Sequence, residues 1–222
     1  MIIAAVLIEL GGRPGTAAQF IPVSGPQVET RLSGLRALRY ANMVAQHRDY
    51  SCGAAALATL LDYGYGFRLT ETQTIEAMMQ HVSRPADVLQ YGFSMLDMKR
   101  YVATIGMHAV GFDVNLAAMR HLRIPVIALL DVNGYSHFVV VKNVSGDLVF
   151  ISDPALGNRS IGVDDFARDW QGLVLAVIGR PFLPDSPLLG ENFSRARKIR
   201  DSMLHLAKPP TLEFGIPQFG TF

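Results

Sequence analysis

The chain has 222 residues, half of them apolar and less than a fifth charged, with a formal net charge of +1. That composition suits one globular domain with a substantial core, and the balanced charge carries no nucleic-acid footprint. The single cysteine excludes an internal disulfide and leaves a thiol free for chemistry.

Residues 1–20 begin with the apolar run Met1 to Ile8, too brief to span a bilayer. The run has no basic start and Glu9 interrupts it, yet Gly15-Thr16-Ala17-Ala18 is a fitting end for a signal peptide. We read the segment as an atypical or shortened secretory signal, which implies a periplasmic protein. An edge strand or an irregular start is the alternative, and a cytoplasmic location goes with it. Residues 21–45 mix Pro, Gly and Ser with Val and Leu and suggest a short strand pair or an arm packed on the domain. Arg39 and Tyr40 are placed to shape the entrance to the next loop, or else are simply solvated.

The next stretch, Gln46-His47-Arg48-Asp49-Tyr50-Ser51-Cys52-Gly53-Ala54-Ala55-Ala56-Leu57, holds the only cysteine. Cys52 opens an alanine-rich apolar run ending near Asp62, which reads as a buried helix. Ser51 sits at the N-cap position. A thiol in the first helical turn feels the positive end of the dipole, which favours a thiolate. Gln46, on the loop leading in, carries an amide able to donate to an oxyanion forming near the sulfur. A small core cysteine is the plain alternative.

Tyr63-Gly64-Tyr65-Gly66 reads as a C-cap and turn. Thr70 caps a second helix, Glu71 to Val82, whose methionines are core fillers and whose terminal His81 needs no catalytic role. Residues 83–91 read as a loop. Ser94 caps a third helix, Met95 to Ile105, closed by Gly106.

The second half is strand-rich: Met107 to Val114, a short helix capped by Asn115, then Pro125 to Leu130 as a buried strand. Asn133-Gly134 is a hairpin signal. It places His137 at the start of a central strand, at the edge of the sheet. The Ser145-Gly146-Asp147 turn returns the chain through Leu148 to Ser152 and brings Asp153 back beside His137. An imidazole held by a carboxylate and facing a thiol is the nucleophile, base and orienter set of acyl transfer. Taken singly, His137 is also an ordinary half-buried strand histidine, and Asp153-Pro154 a turn starter. Asp164 to Trp170 predicts a short helix carrying Trp170 into the core, and Leu173 to Ile178 a last strand. Helices on one side and antiparallel strands on the other make an α+β design with its site in the cleft between layers.

Gln46-x5-Cys52-Gly53-Ala54-Ala55, His137-Phe138-Val139-Val140-Val141 and Asp153-Pro154 together resemble peptidase family C39, over roughly residues 40–180. This is the group of papain-like domains that process double-glycine leader peptides in bacteriocin exporters. The wording around Cys52 is most similar to stand-alone members encoded with bacterial functional-amyloid export systems. The resemblance implies a papain-like fold, with Cys52 as nucleophile, His137 as base, Asp153 as orienter and Gln46 as oxyanion donor. It calls for no metal or cofactor. The implied substrate is a secreted bacterial polypeptide, and the implied partners are export or outer-membrane machinery. Two other functions compete: a non-catalytic C39-like module that binds leader segments, and an acyl transferase or amidase on the same fold. Degenerate modules lose the cysteine, which this chain keeps.

Residues 21–180 thus form the expected peptidase domain, with residues 181–222 as an extension. Pro181, Pro184 and Pro187 mark a linker, and Phe193 to Lys208 reads as an amphipathic helix, either packed on the domain or docking to a membrane surface or exporter subunit. No transmembrane span is expected. Leu10-Gly11-Gly12 superficially resembles a double-glycine site, and self-processing there is excluded by a mature chain that retains Met1 or starts elsewhere than Arg13.

Overall fold

The computed structural model describes residues 34–189. The expected N-terminal signal, the Leu10-Gly11-Gly12 site and the 193–208 helix lie outside the described residues. Residues 34–39, expected in a strand pair or arm, are helical.

The elements follow the sequence closely. Helix α1 spans Cys52–Tyr65, α2 Glu71–Met79, α3 Pro85–Tyr91 and α4 Met95–Thr104. Then come β1 (His108–Asp113), the short α5 (Leu116–Met119), β2 (Val126–Val132), β3 (Tyr135–Ser145), β4 (Leu148–Asp153), β5 (Gly157–Gly162), α6 (Val163–Asp169) and β6 (Trp170–Ile178). Capping boxes start α2 and α4, through Thr70 with Gln73 and Ser94 with Asp97. Gly66 ends α1 in the left-handed conformation.

Two elements depart from expectation. Residues 83–91, read as a loop, contain helix α3. Pro85 occupies its first turn, where a missing N–H costs nothing, and Val88 plugs into the core. Seven residues are too few for a helical period to show. Strand β5, Gly157-Asn158-Arg159-Ser160-Ile161-Gly162, was not anticipated. It is polar and glycine-flanked, and pairing with β4 rather than propensity makes it a strand.

All six strands run antiparallel in the order β1-β6-β2-β3-β4-β5. The last strand in the chain therefore lies inside the sheet, between β1 and β2. Each face has its own apolar layer. On one side α1 packs with Ile75, Met78, Val88, Met98 and Val102 against Phe138, Val140, Ile127 and Leu175. On the other, Phe166 and Met119 cover Val139, Val141, Ile151 and Val174, with Trp170 beside Phe166. The alternation of Phe138 and Val140 with Val139 and Val141 divides β3 between these layers, as a strand covered on both faces requires.

Helix α1 is buried along nearly its whole length, and Ala54, Ala55, Ala56 and Ala58 are fully enclosed. Small side chains let it lie close to the sheet. Gly53 shows the limit: a Cβ there would stand 2.8 Å from Met98 Cε and 3.2 Å from the Phe138 ring. Since Cys52 precedes Gly53 and His137 precedes Phe138, this contact sets how closely Cys52 and His137 approach.

Candidate active site

Three segments converge at the start of α1. The β2–β3 hairpin turns at Asn133 and Gly134, both with positive φ, and delivers His137 as the third residue of β3. In the β3–β4 register Val140 lies opposite Ser152, so Asp153 falls diagonally toward His137. The His137 Nε2–H donates to Asp153 Oδ1 at 2.8 Å. An ionised carboxylate only accepts, so Nε2 carries a proton whether the ring is neutral or charged, and Nδ1 is the nitrogen left to exchange a proton with Cys52. The Cys52 side chain lies close enough to the ring for its hydrogen bonding and charge to act on His137. Sulfur, imidazole and carboxylate thus lie in one row.

The row is nearly closed to solvent: Cys52 is 5 % exposed, His137 8 % and Asp153 0 %. Burial alone would lower the His137 pKa. Its hydrogen bonds with Asp153 and Cys52, and the charges of both, push it up to about 9 instead. Burial likewise works to raise the Asp153 pKa, but His137, the Leu156 N–H and Arg159 hold the carboxyl below its usual range. Asp153 Oδ1 also accepts from the N–H groups of Ala155 (3.0 Å) and Leu156 (3.1 Å), while Arg159 Nε and Nη2 reach Oδ2 at 3.0 and 2.8 Å. Asp153 is therefore held from four sides before it orients the ring.

Arg159 was not singled out from sequence. It lies on β5, six residues after Asp153, and its role became visible only with the 154–157 turn in place. That turn is gripped from outside. Arg39 Nε and the Tyr40 hydroxyl donate to the carbonyls of Leu156 and Ala155. Asn158 Nδ2 donates to the carbonyls of Arg39 and Ala41, while its Oδ1 accepts from Ser152 and Lys142. Gly157, at φ +83°, allows this docking, because a Cβ would lie 2.8 Å from the Arg39 carbonyl. Arg39 and Tyr40 thus brace the turn beside the candidate site.

Gln46 sits on the loop entering α1. Its backbone N–H donates to the Pro154 carbonyl at 2.9 Å, which ties the loop to the Asp153 segment. Its Nε2 makes a long 3.3 Å bond to the Arg48 carbonyl, and its buried Oε1 has no hydrogen-bond partner among the described residues. The Tyr135 hydroxyl holds the same loop by donating to the Asp49 carbonyl at 2.7 Å. Burial first, then the charges of Cys52 and Asp49, push the Tyr135 pKa up.

Ser51 occupies the N-cap position of α1, but its hydroxyl makes no capping bond into the helix. It lies instead within bonding distance of the Arg48 carbonyl and of the buried Glu71 carboxylate. Glu71 also was not anticipated, since a first-turn acid ordinarily points into water. His81 lies exposed after α2, clear of the row.

The Peptidase C39 family model matches residues 40–181. The chain belongs to peptidase family C39. A protein of Pseudomonas aeruginosa described as a probable functional amyloid protease, FapD, is 39 % identical to this C39 peptidase over 98 % of the chain and 96 % of its own length. A protein of Pseudomonas fluorescens with the same description is 41 % identical over 74 % of this chain and 73 % of its own. Among solved structures, a double-glycine-motif protease of an AMS/PCAT transporter, in complex with its leader peptide, superposes with a TM-score of 0.53 at 25 % identity. That match covers 62 % of this chain and 91 % of the other. The fold is accordingly the papain-like α+β fold of C39 peptidase domains, and the protein is a cysteine peptidase, a hydrolase. Among the described residues no helix is long and apolar enough to cross a membrane.

Proposed function

We propose that this C39 peptidase cleaves a secreted bacterial polypeptide, with Cys52 as nucleophile, His137 as base, Asp153 as orienter and Gln46 as oxyanion donor. The observation that carries the reading is the His137–Asp153 hydrogen bond with Cys52 set against the same ring. His137 Nδ1 takes the thiol proton, and the thiolate attacks the scissile carbonyl carbon. The carbonyl oxygen becomes an oxyanion, met by the Cys52 backbone N–H at the start of α1 and by Gln46 Nε2. Only a long bond to Arg48 must be given up to free that amide. Imidazolium then protonates the leaving amine as the C–N bond breaks. Water, deprotonated by the neutral ring, releases the acyl group and restores the thiol.

The substrate proposed is an amyloid-forming or leader-bearing export polypeptide. The names of the two Pseudomonas relatives and the leader peptide bound to the transporter protease support it. A periplasmic location, reached through the N-terminal segment, and a working association with export machinery follow from the same reading. The test incubates the purified protein with the secreted polypeptides that its neighbouring genes encode and maps products by mass spectrometry. Cleavage at one small-residue site, lost in Cys52→Ala, is the expected result. Full cleavage by Cys52→Ala would overturn the assignment, and fractionation that leaves the protein in the cytoplasm would remove the proposed location.

A further inference from the structure

Five residues, His47 to Ser51, are the whole covalent link between Gln46 and Cys52. Both ends of that link converge on one carboxylate. Glu71 Oε1 accepts from the His47 backbone N–H at 2.7 Å, and Oε2 pairs with His47 Nδ1 at 2.7 Å. The Ser51 hydroxyl donates to Oε1. The residue directly after Gln46 and the residue directly before Cys52 are therefore both tied to Oε1, and His47 reaches Oε2 as well.

Glu71 is not needed for its own helix. Thr70 and Gln73 supply the capping box of α2. A first-turn glutamate serving the helix dipole keeps its carboxylate in water, whereas Glu71 is 5 % exposed. Burial would raise its pKa, but the His47 N–H, the Ser51 hydroxyl and the His47 ring outweigh that and hold it below the usual carboxylate range. It stays charged, and charged acceptors make the stronger hydrogen bonds. The other anchors of the loop, Pro154 and Tyr135, each hold one point from the sheet side. Glu71 grips both ends from the helical layer.

Resting on the site assignment above, we propose that Glu71 is a positioning residue that sets the distance between the Gln46 amide and the Cys52 backbone N–H, and so shapes the oxyanion hole rather than the thiolate. Glu71→Gln preserves size and one acceptor oxygen but removes the charge that strengthens the His47 N–H and Ser51 bonds to Oε1. It also puts an NH2 where Oε2 met the His47 ring, so the grip on both ends loosens. Two reagents separate the possible effects. Iodoacetamide alkylates the sulfur at a saturated carbon, expelling iodide, and forms no oxyanion. The aldehyde N-acetyl-glycyl-glycinal adds the thiolate to its carbonyl carbon, and the former carbonyl oxygen needs the hole.

In Glu71→Gln the aldehyde should bind about 10- to 100-fold more weakly, less than the loss on deleting an oxyanion donor outright because the amide is displaced and not removed. The iodoacetamide rate and its pH profile should stay within about twofold, since the thiolate and its imidazole are untouched. Ser51→Ala, which removes a donor and no helix cap, should show the same split at about 3- to 10-fold. This second variant carries the test if Glu71→Gln does not fold. Unchanged aldehyde affinity in the folded variants, or alkylation falling in step with it, would overturn the proposal. A wild type that forms no aldehyde adduct removes the oxyanion hole and this inference with it. Cys52-dependent cleavage indifferent to both variants overturns the inference alone.

Discussion

Two buried carboxylates flank the start of α1, one at the end of β4 and one at the head of α2. Asp153 gathers an imidazole, two backbone N–H groups and a guanidinium; Glu71 gathers an imidazole, one backbone N–H and a hydroxyl. The device is the same, with desolvation offset by several donors to one charge. The consequences differ because of what each donor is joined to. Asp153 holds the ring beside the sulfur, so under the proposed mechanism its loss disturbs proton transfer. Glu71 holds the backbone between Gln46 and Cys52, so its loss disturbs geometry. A buried acid near a nucleophile is thus not by itself an orienter of the base; its partners decide.

The comparison can be sharpened by substitution. Cys52→Ala removes the reacting atom and should lower kcat by at least about 10⁴-fold, as for other nucleophile deletions. Asp153→Asn keeps shape but loses control of the His137 tautomer, and should lower kcat by about 10³- to 10⁴-fold. Its iodoacetamide rate should fall as well, which is where it parts from Glu71→Gln. Gln46→Ala should cost about 10²- to 10³-fold in kcat with alkylation unchanged, the pattern of an oxyanion donor. If Gln46→Ala and Asp153→Asn gave one common alkylation profile, the division of labour drawn here would fail.

Titration separates the two carboxylates from the ring. His137, raised from 6.5 to about 9, contributes stability that is complete below pH 6.5 and is lost as pH rises through about 9. The imidazolium that protonates the leaving amine is lost over the same window, so kcat should decline near pH 9. In Asp153→Asn that limb should move toward pH 6.5. Asp153 and Glu71 are lowered, so their contributions are present above the ordinary carboxylate range and vanish as pH falls through the lowered values. Melting temperature against pH should therefore be a plateau with two flanks, and Glu71→Gln should flatten only the acid one. The smallest effect is structural: Gly157→Ala should cost about 1–3 kcal/mol in denaturant unfolding through crowding against Arg39.

What could be read from the chain was what repeats or punctuates. The alanine run after Cys52, the serine and threonine caps, the Asn133-Gly134 hairpin and the β-branched run after His137 place helices and strands because each is a local preference stated over a few residues. Cys52, His137 and Asp153 could be named because hairpin lengths bring the last two together and only one thiol exists. Arg159, Glu71 and Ser51's true partner were not legible, since each is defined by what a distant segment leaves beside it.

Order along the chain and local period are sequence properties, so fold class, most element positions and the candidate site residues could be read there. The place of β6 inside the sheet, the helix at 85–91, strand β5 and the two sets of donors around Asp153 and Glu71 were decided by tertiary packing. A buried charge must find its partners wherever the fold puts them, and no local pattern encodes that search.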